Sequence, residues 1–320
     1  MISLPNSAFY FPIDAKFAFK PGLYKLDKDF GNGEHDRRIF QLDQSWPEYY
    51  QQKQASLNEA FDKYAIDQDF KLSQQQFLSR WLIQQITYEY PNIFTFMPDL
   101  GLLQDNRTNT QLSFDKDFNL LSIKHNSFLG SIKSGPHAIL SLLQEDFCFV
   151  DLSEPRDRIS FLHLCFPNHW AAKEKIGQSF LQAHDTVPGM HTIKHNRKKL
   201  LQSILHKSPF VRFAWGLASN TQLNQHPTPP KNVSKETWYG RQHLKTIDIS
   251  FLRVERQVCI GLPEQHAMLF FIRTYFYAVN ELSLMQRNII KSAIDSMPDD
   301  VLAYKGFSNI RIELFDEMLN

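Results

Sequence analysis

His184 closes the segment Lys175-Ile176-Gly177-Gln178-Ser179-Phe180-Leu181-Gln182-Ala183-His184, where Ile176, Phe180 and His184 recur at i, i+4 and i+8. On a helix beginning near Asn168 these three share one face, with Ala172 a turn earlier, so the imidazole points where the apolar side chains point. In the following Val187-Pro188-Gly189, Pro188 cannot continue a helix, which places His184 in its last turn. A neutral imidazole there, facing an apolar cavity, suits the axial position of a haem iron. It equally describes an ordinary core histidine at a helix C-terminus, and the residues alone favour that plainer reading.

The second chemical feature is the run Phe251-Leu252-Arg253-Val254-Glu255-Arg256-Gln257-Val258-Cys259-Ile260. Strand alternation puts Leu252, Val254, Arg256, Val258 and Ile260 on one face, and Phe251, Arg253, Glu255, Gln257 and Cys259 on the other. Arg256 stands alone in an aliphatic row, and a buried guanidinium needs a carboxylate, a propionate or a polar ligand. Arg273, in Phe270-Phe271-Ile272-Arg273-Thr274-Tyr275, makes the same demand. Structural ion pairs on an exposed sheet face would also meet it. A one-residue shift in register would exchange Arg256 for Arg253 and Glu255.

Other chemistries find less support. His191 and His195 are at i, i+4, but no H-E-x-x-H accompanies them, and Lys194, Arg197, Lys198 and Lys199 crowd them with positive charge, as on a solvated surface. There is no G-x-S-x-G elbow, and His163 and Cys165, two apart on a strand, are expected roughly 7 Å apart and parallel rather than converging. Dinucleotide and phosphate-loop signatures are absent, so nicotinamide or flavin is not expected in this chain. Cys148, Cys165 and Cys259 are few, odd in number and set in apolar runs, which describes buried thiols in a reducing compartment and leaves no cysteine cluster for an iron–sulfur centre.

The chain that must position these residues has 320 of them, with 35 Lys+Arg against 34 Asp+Glu and a net charge of +1, which argues against a broad nucleic-acid surface. At 42% apolar and 13% aromatic it reads as globular, and its 27 phenylalanines furnish wide, flat side chains able to pack a core or enclose a planar ligand. The N-terminal MISLPNSAFYFPIDAKF lacks a basic leader, and no stretch reaches the about 18 apolar residues of a membrane span, so a soluble, cytoplasmic protein is expected.

Residues 1–40 read as irregular, and Trp46 to about Ile86 as two or more helices. Short apolar runs follow at 118–124, 146–152, 159–166, 247–260 and 267–279, the last two as an antiparallel hairpin, with helical stretches at 168–184 and 195–207 between. The expectation is an α+β fold: an N-terminal irregular and helical region over 1–112, packed on a domain over 113–320 built on an antiparallel sheet. Gln225 to Glu236 is a Pro-rich polar loop.

Several ordered motifs together resemble the haem-dependent oxidative N-demethylase alpha-subunit family. They are Gln144-Glu145-Asp146, Leu164-Cys165-Phe166-Pro167 leading to Trp170, Lys175 to Phe180, His184 with Val187-Pro188-Gly189, Leu252 to Gln257, Leu262-Pro263, Phe271 to Tyr275, and Tyr304-Lys305-Gly306. The resemblance is densest over 140–310, with a weaker element at Phe19-Lys20-Pro21-Gly22-Leu23.

This resemblance implies a PAS-like antiparallel sheet and flanking helices enclosing haem b, and oxidative demethylation of a small, dimethylamine-like amine. The reaction uses O2 and electrons from partner subunits carrying flavin (FMN) and an iron–sulfur centre, with no nucleic acid or membrane partner. It makes His184 the axial ligand and Arg256, Glu255 and Arg273 the pocket residues opposite. Lys175, Arg253, Gln257, Val187 and Pro188 become cofactor-binding positions, with Lys175 placed for a propionate. The sequence departs from the family pattern at Ala183-His184-Asp185-Thr186, at Ala214-Trp215 and at Ala218-Ser219-Asn220, which bears on the substrate more than on the cofactor. A haem gas or redox sensor is the non-enzymatic alternative.

Overall fold

The computed structural model describes residues 4–20, 22–126, 128–129, 132–153, 157–185, 187–189, 196–238 and 250–307. They form an α+β fold with two antiparallel sheets. The strands, in chain order, are β1 (Tyr24–Lys25), β2 (Ala65–Asp67), β3 (Phe94–Met97), β4 (Leu102–Asp105), β5 (Thr110–Phe114), β6 (Leu120–Lys124), β7 (Asp146–Asp151), β8 (Arg158–His163), β9 (Phe210–Ala218), β10 (Phe251–Leu262) and β11 (Ala267–Ala278). The larger sheet has seven of them in the order β1-β9-β10-β11-β7-β8-β2, and the smaller is the meander β3 to β6. Residue 112, where the sequence divides most naturally, lies inside β5, and β1 and β2 from the N-terminal region join the large sheet.

The long β10–β11 hairpin is the spine of the large sheet, with Arg256 directly opposite Arg273 and Glu255 opposite Thr274. One face packs Phe147, Phe149, Val258, Leu269 and Phe271 against Leu78, Leu82 and Ile86 of the helix Leu72–Glu89 and against the small sheet. Further along, Leu252, Val254 and Tyr275 pack on the helix Leu284–Asp295. The opposite face carries Cys148, Val150, Cys259 and Met268 against Ala172, Ala183 and Ile204 of three helices, Ala172–Lys175, Phe180–Ala183 and Arg197–Lys207.

The single helix expected over 168–184 is instead two short ones. Gly177 adopts a left-handed φ of 78°, and its N–H donates to Ile159 O while Gln178 O accepts from Ile159 N, so the chain leaves the helix to pair with the edge of β8. Helix restarts because Ser179 and Gln182 cap each other reciprocally. Ile176 and Phe180 still pack on the same cluster, but through this turn rather than through helical spacing.

Candidate functional site

His184 is the C-terminal cap of the helix Phe180–Ala183. Its Nδ1–H donates a hydrogen bond to the Phe180 carbonyl oxygen at 2.6 Å, and its ring leans on the Phe180 ring at 4.6 Å. The N–H is thereby fixed on Nδ1, and Nε2 keeps its lone pair with no hydrogen-bond partner among the described residues. Burial lowers the imidazole's pKa against the pull of the Phe180 carbonyl, and the charges of Arg212 and Lys175 lower it further. A neutral imidazole with one committed nitrogen is the form in which histidine binds a metal.

Lys175 lies beside it, donating to Ala183 O at 2.7 Å and so closing the same helix end. The Val187 N–H donates to His184 O, and Pro188 follows, half-buried. His191 and His195 lie outside the described residues.

Across from this helix, β9 and β10 present the other chemical groups. Glu255 accepts from Asn168 Nδ2 at 3.1 Å and Gln257 Nε2 at 3.1 Å, and lies 3.5 Å from Arg253 Nε. Arg253 is buried and donates to Leu223 O and Phe166 O, so it ties two loops to the strand while flanking the carboxylate. Gln257 and Arg253 therefore position Glu255.

Arg256 and Arg273 point the other way. Arg256 donates to Arg38 O at 2.8 Å and Ile39 O at 3.3 Å. Arg273 pairs with Asp43 at 2.9 Å and stacks 3.8 Å over Tyr49. Both hold the extended segment 38–45, whose amides are otherwise taken by Glu89, Glu145, Tyr90 and Gln144 side chains. The expected pocket arginines are thus separated from Glu255 by the thickness of the sheet, because strand alternation sends neighbouring residues to opposite faces.

Two features escaped the sequence reading. Arg212, on β9 opposite Gln257, shares the face of Glu255, and its guanidinium makes no hydrogen bond or ion pair with the described residues, its Nε being enclosed. Beside it Ala214 and Gly216 form a floor of small residues, and no described atom comes within 4 Å of a Cβ built on Gly216. The signal was the alternation Val211, Phe213, Trp215, Leu217 in the other register. His163 and Cys165 also converge, Nε2 to Sγ 3.7 Å, because the chain leaves β8 at Leu164. Burial pushes the Cys165 thiol up, with Lys53 opposing, so it is no thiolate nucleophile.

Fold and site define an α+β protein whose antiparallel sheet offers an anion-seeking arginine and a tethered carboxylate to a helix-borne, metal-competent histidine. The family described as haem-dependent oxidative N-demethylase, alpha subunit-like, matches residues 32–315, and the chain belongs to it.

The residues fit haem. One imidazole with a free Nε2 and a flat small-residue floor suit a planar iron porphyrin. Among the described residues no group of three or more His, Cys, Asp or Glu would hold a bare metal ion instead. Within them, too, no helix is long and apolar enough to cross a membrane, and all three cysteines are free and buried.

Proposed function

We propose that the chain is the catalytic subunit of a haem-dependent amine demethylase, its sheet and helices forming a PAS-like site for haem b within 113–320. The observation that carries this is the Nδ1 bond of His184 to Phe180 O, which leaves Nε2 free for a metal on a helix packed against the sheet face of Cys259, with Arg212 of that face close enough for its charge to act on the ring. Bound haem would be held by His184 and would supply oxygen activation. Overall, an N-methylamine, dioxygen, two electrons and two protons give the demethylated amine, formaldehyde and water. A methyl C–H becomes C–O, the C–N bond breaks, and the two oxygen atoms end in formaldehyde and in water. The electrons require a reductant, for which a partner subunit with flavin and an iron–sulfur centre is the natural source.

The protein's own work is binding and proton placement. Glu255 retains a free lone pair to receive the ammonium of the amine and to take its proton, since chemistry at nitrogen requires the neutral base. Asn168, Gln257 and Arg253 keep that carboxylate aimed. Dimethylamine is the simplest substrate of the class. Incubating the haem-loaded chain with methylated amines, O2 and a chemical reductant should release formaldehyde equivalent to amine consumed. Stable oxygen binding without formaldehyde would make it a sensor.

A further inference from the structure

Arg212 and Glu255 carry opposite charges on adjacent strands of one sheet face, yet they form no ion pair. Arg212 stands opposite Gln257 and Glu255 opposite Ala214, so the two are diagonal neighbours roughly 7 Å apart at Cβ. Glu255 is turned toward Asn168, Gln257 and Arg253. Arg212 has no acceptor among the described residues, and its Nε is closed off from water. A half-buried guanidinium whose Nε is shut off from water favours an anion as its partner, and its planar fork matches a carboxylate. Ala214, directly opposite Glu255, and Gly216 beyond it, opposite Arg253, leave open space beside the two charges on this face.

We propose that the substrate is a zwitterion, an N-methylated amino acid whose carboxylate docks on Arg212 and whose ammonium lies against Glu255. This rests on the demethylase reading and narrows its substrate class; the overall reaction is unchanged. A simple dialkylammonium would leave Arg212 without a counter-charge and bring another cation to a site where Arg212, Arg253 and Lys175 already outnumber Glu255. The zwitterion brings its own anion.

The test is equilibrium titration of the haem-loaded full chain with N,N-dimethylglycine, dimethylamine and 3-methylbutyrate, the last keeping the carboxylate without the amine. N,N-dimethylglycine should bind at least about tenfold tighter than either of the others. Arg212→Gln should erase its advantage over dimethylamine with haem content unchanged, and Arg212→Lys, a safeguard should the glutamine variant misfold, should restore part of it. Equal affinity for dimethylamine and N,N-dimethylglycine would overturn the proposal. So would loss of haem from Arg212→Gln, because the guanidinium would then serve a propionate. Formaldehyde from dimethylamine with no preference for the zwitterion defeats this inference alone. Zwitterion binding that depends on Arg212, with no formaldehyde from any amine, supports the receptor site and defeats the demethylase reading alone.

Discussion

Glu255 and Arg256 are joined by one peptide bond on β10 and serve opposite faces of the sheet. The carboxylate meets Asn168 and Gln257 on the side of His184, while the guanidinium crosses to the carbonyls of Arg38 and Ile39. Substitution should separate the two roles. Arg256→Met leaves two carbonyls without their donor and should cost about 2–4 kcal/mol in urea unfolding, with haem uptake by the folded fraction intact. Glu255→Gln should leave stability within about 1.5 kcal/mol and abolish most amine turnover. A stable Arg256→Met that loses activity would return Arg256 to the site.

The floor of the site can be filled without touching any polar group. Gly216 lies in an extended strand with no described atom within 4 Å of a Cβ, so Gly216→Val should fold with stability unchanged to about 1 kcal/mol. Haem bound per chain, read from the Soret absorbance, should fall severalfold. Full haem uptake would place the cofactor elsewhere.

The clamp on segment 38–45 has a defined acid limit. Burial alone would raise the Asp43 pKa, but Arg273 and Ser45 outweigh it and hold the carboxyl below its usual value. Its folded value being depressed, its contribution is full above the unfolded pKa and is lost as pH falls through the folded one. Asp43→Asn should therefore cost about 3–5 kcal/mol at pH 7, measured by urea unfolding, and the difference from wild type should shrink toward pH 3.

A second acid response comes from the buried pair His137 and His163, Nδ1 to Nδ1 3.1 Å, with His137 stacked 4.1 Å on Phe161. Burial pushes His137 down to about 3, and burial, Lys53 and His137 push His163 down as well. The unfolded chain takes up these protons below the ordinary histidine pKa and the folded chain does not, so stability falls as pH drops from 6.5 toward 3. Glu89 and Asp146, raised by burial to about 7 and about 6, act in the opposite sense over part of that window. Comparing wild type with His137→Phe isolates the histidine: the variant's loss should be shallower by about 1.4 kcal/mol per pH unit between pH 6 and 4. Parallel curves would contradict the assignment.

The sequence made some of this architecture readable and hid the rest for physical reasons. Strands β7, β8, β10 and β11 were legible because β-branched and aromatic residues fill them, and the hairpin followed from Gly261-Leu262-Pro263-Glu264. The short strands β3 to β5 offered too few residues for a period to show. Strand β9 was missed because its site face, Arg212, Ala214 and Gly216, is the face left open, so the residue that most asks for a ligand sits where burial gives no signal. The helix carrying His184 was misjudged because i, i+4 spacing cannot register the turn at Gly177. His184 and Glu255 were singled out from their types and neighbours, and the fold sets them on a helix cap and a strand that face the same cluster. Arg256 and Arg273 were correctly read as buried charges needing partners, but nothing in one chain's sequence revealed that segment 38–45 supplies them.

The central claim is that His184 Nε2 is the protein's ligand to haem iron. Full-length protein produced with added haem precursor should show a strong Soret band, and His184→Ala, with unchanged circular dichroism, should lose that band or shift it to a form restored by exogenous imidazole. A band identical in position and intensity in folded His184→Ala would contradict the account.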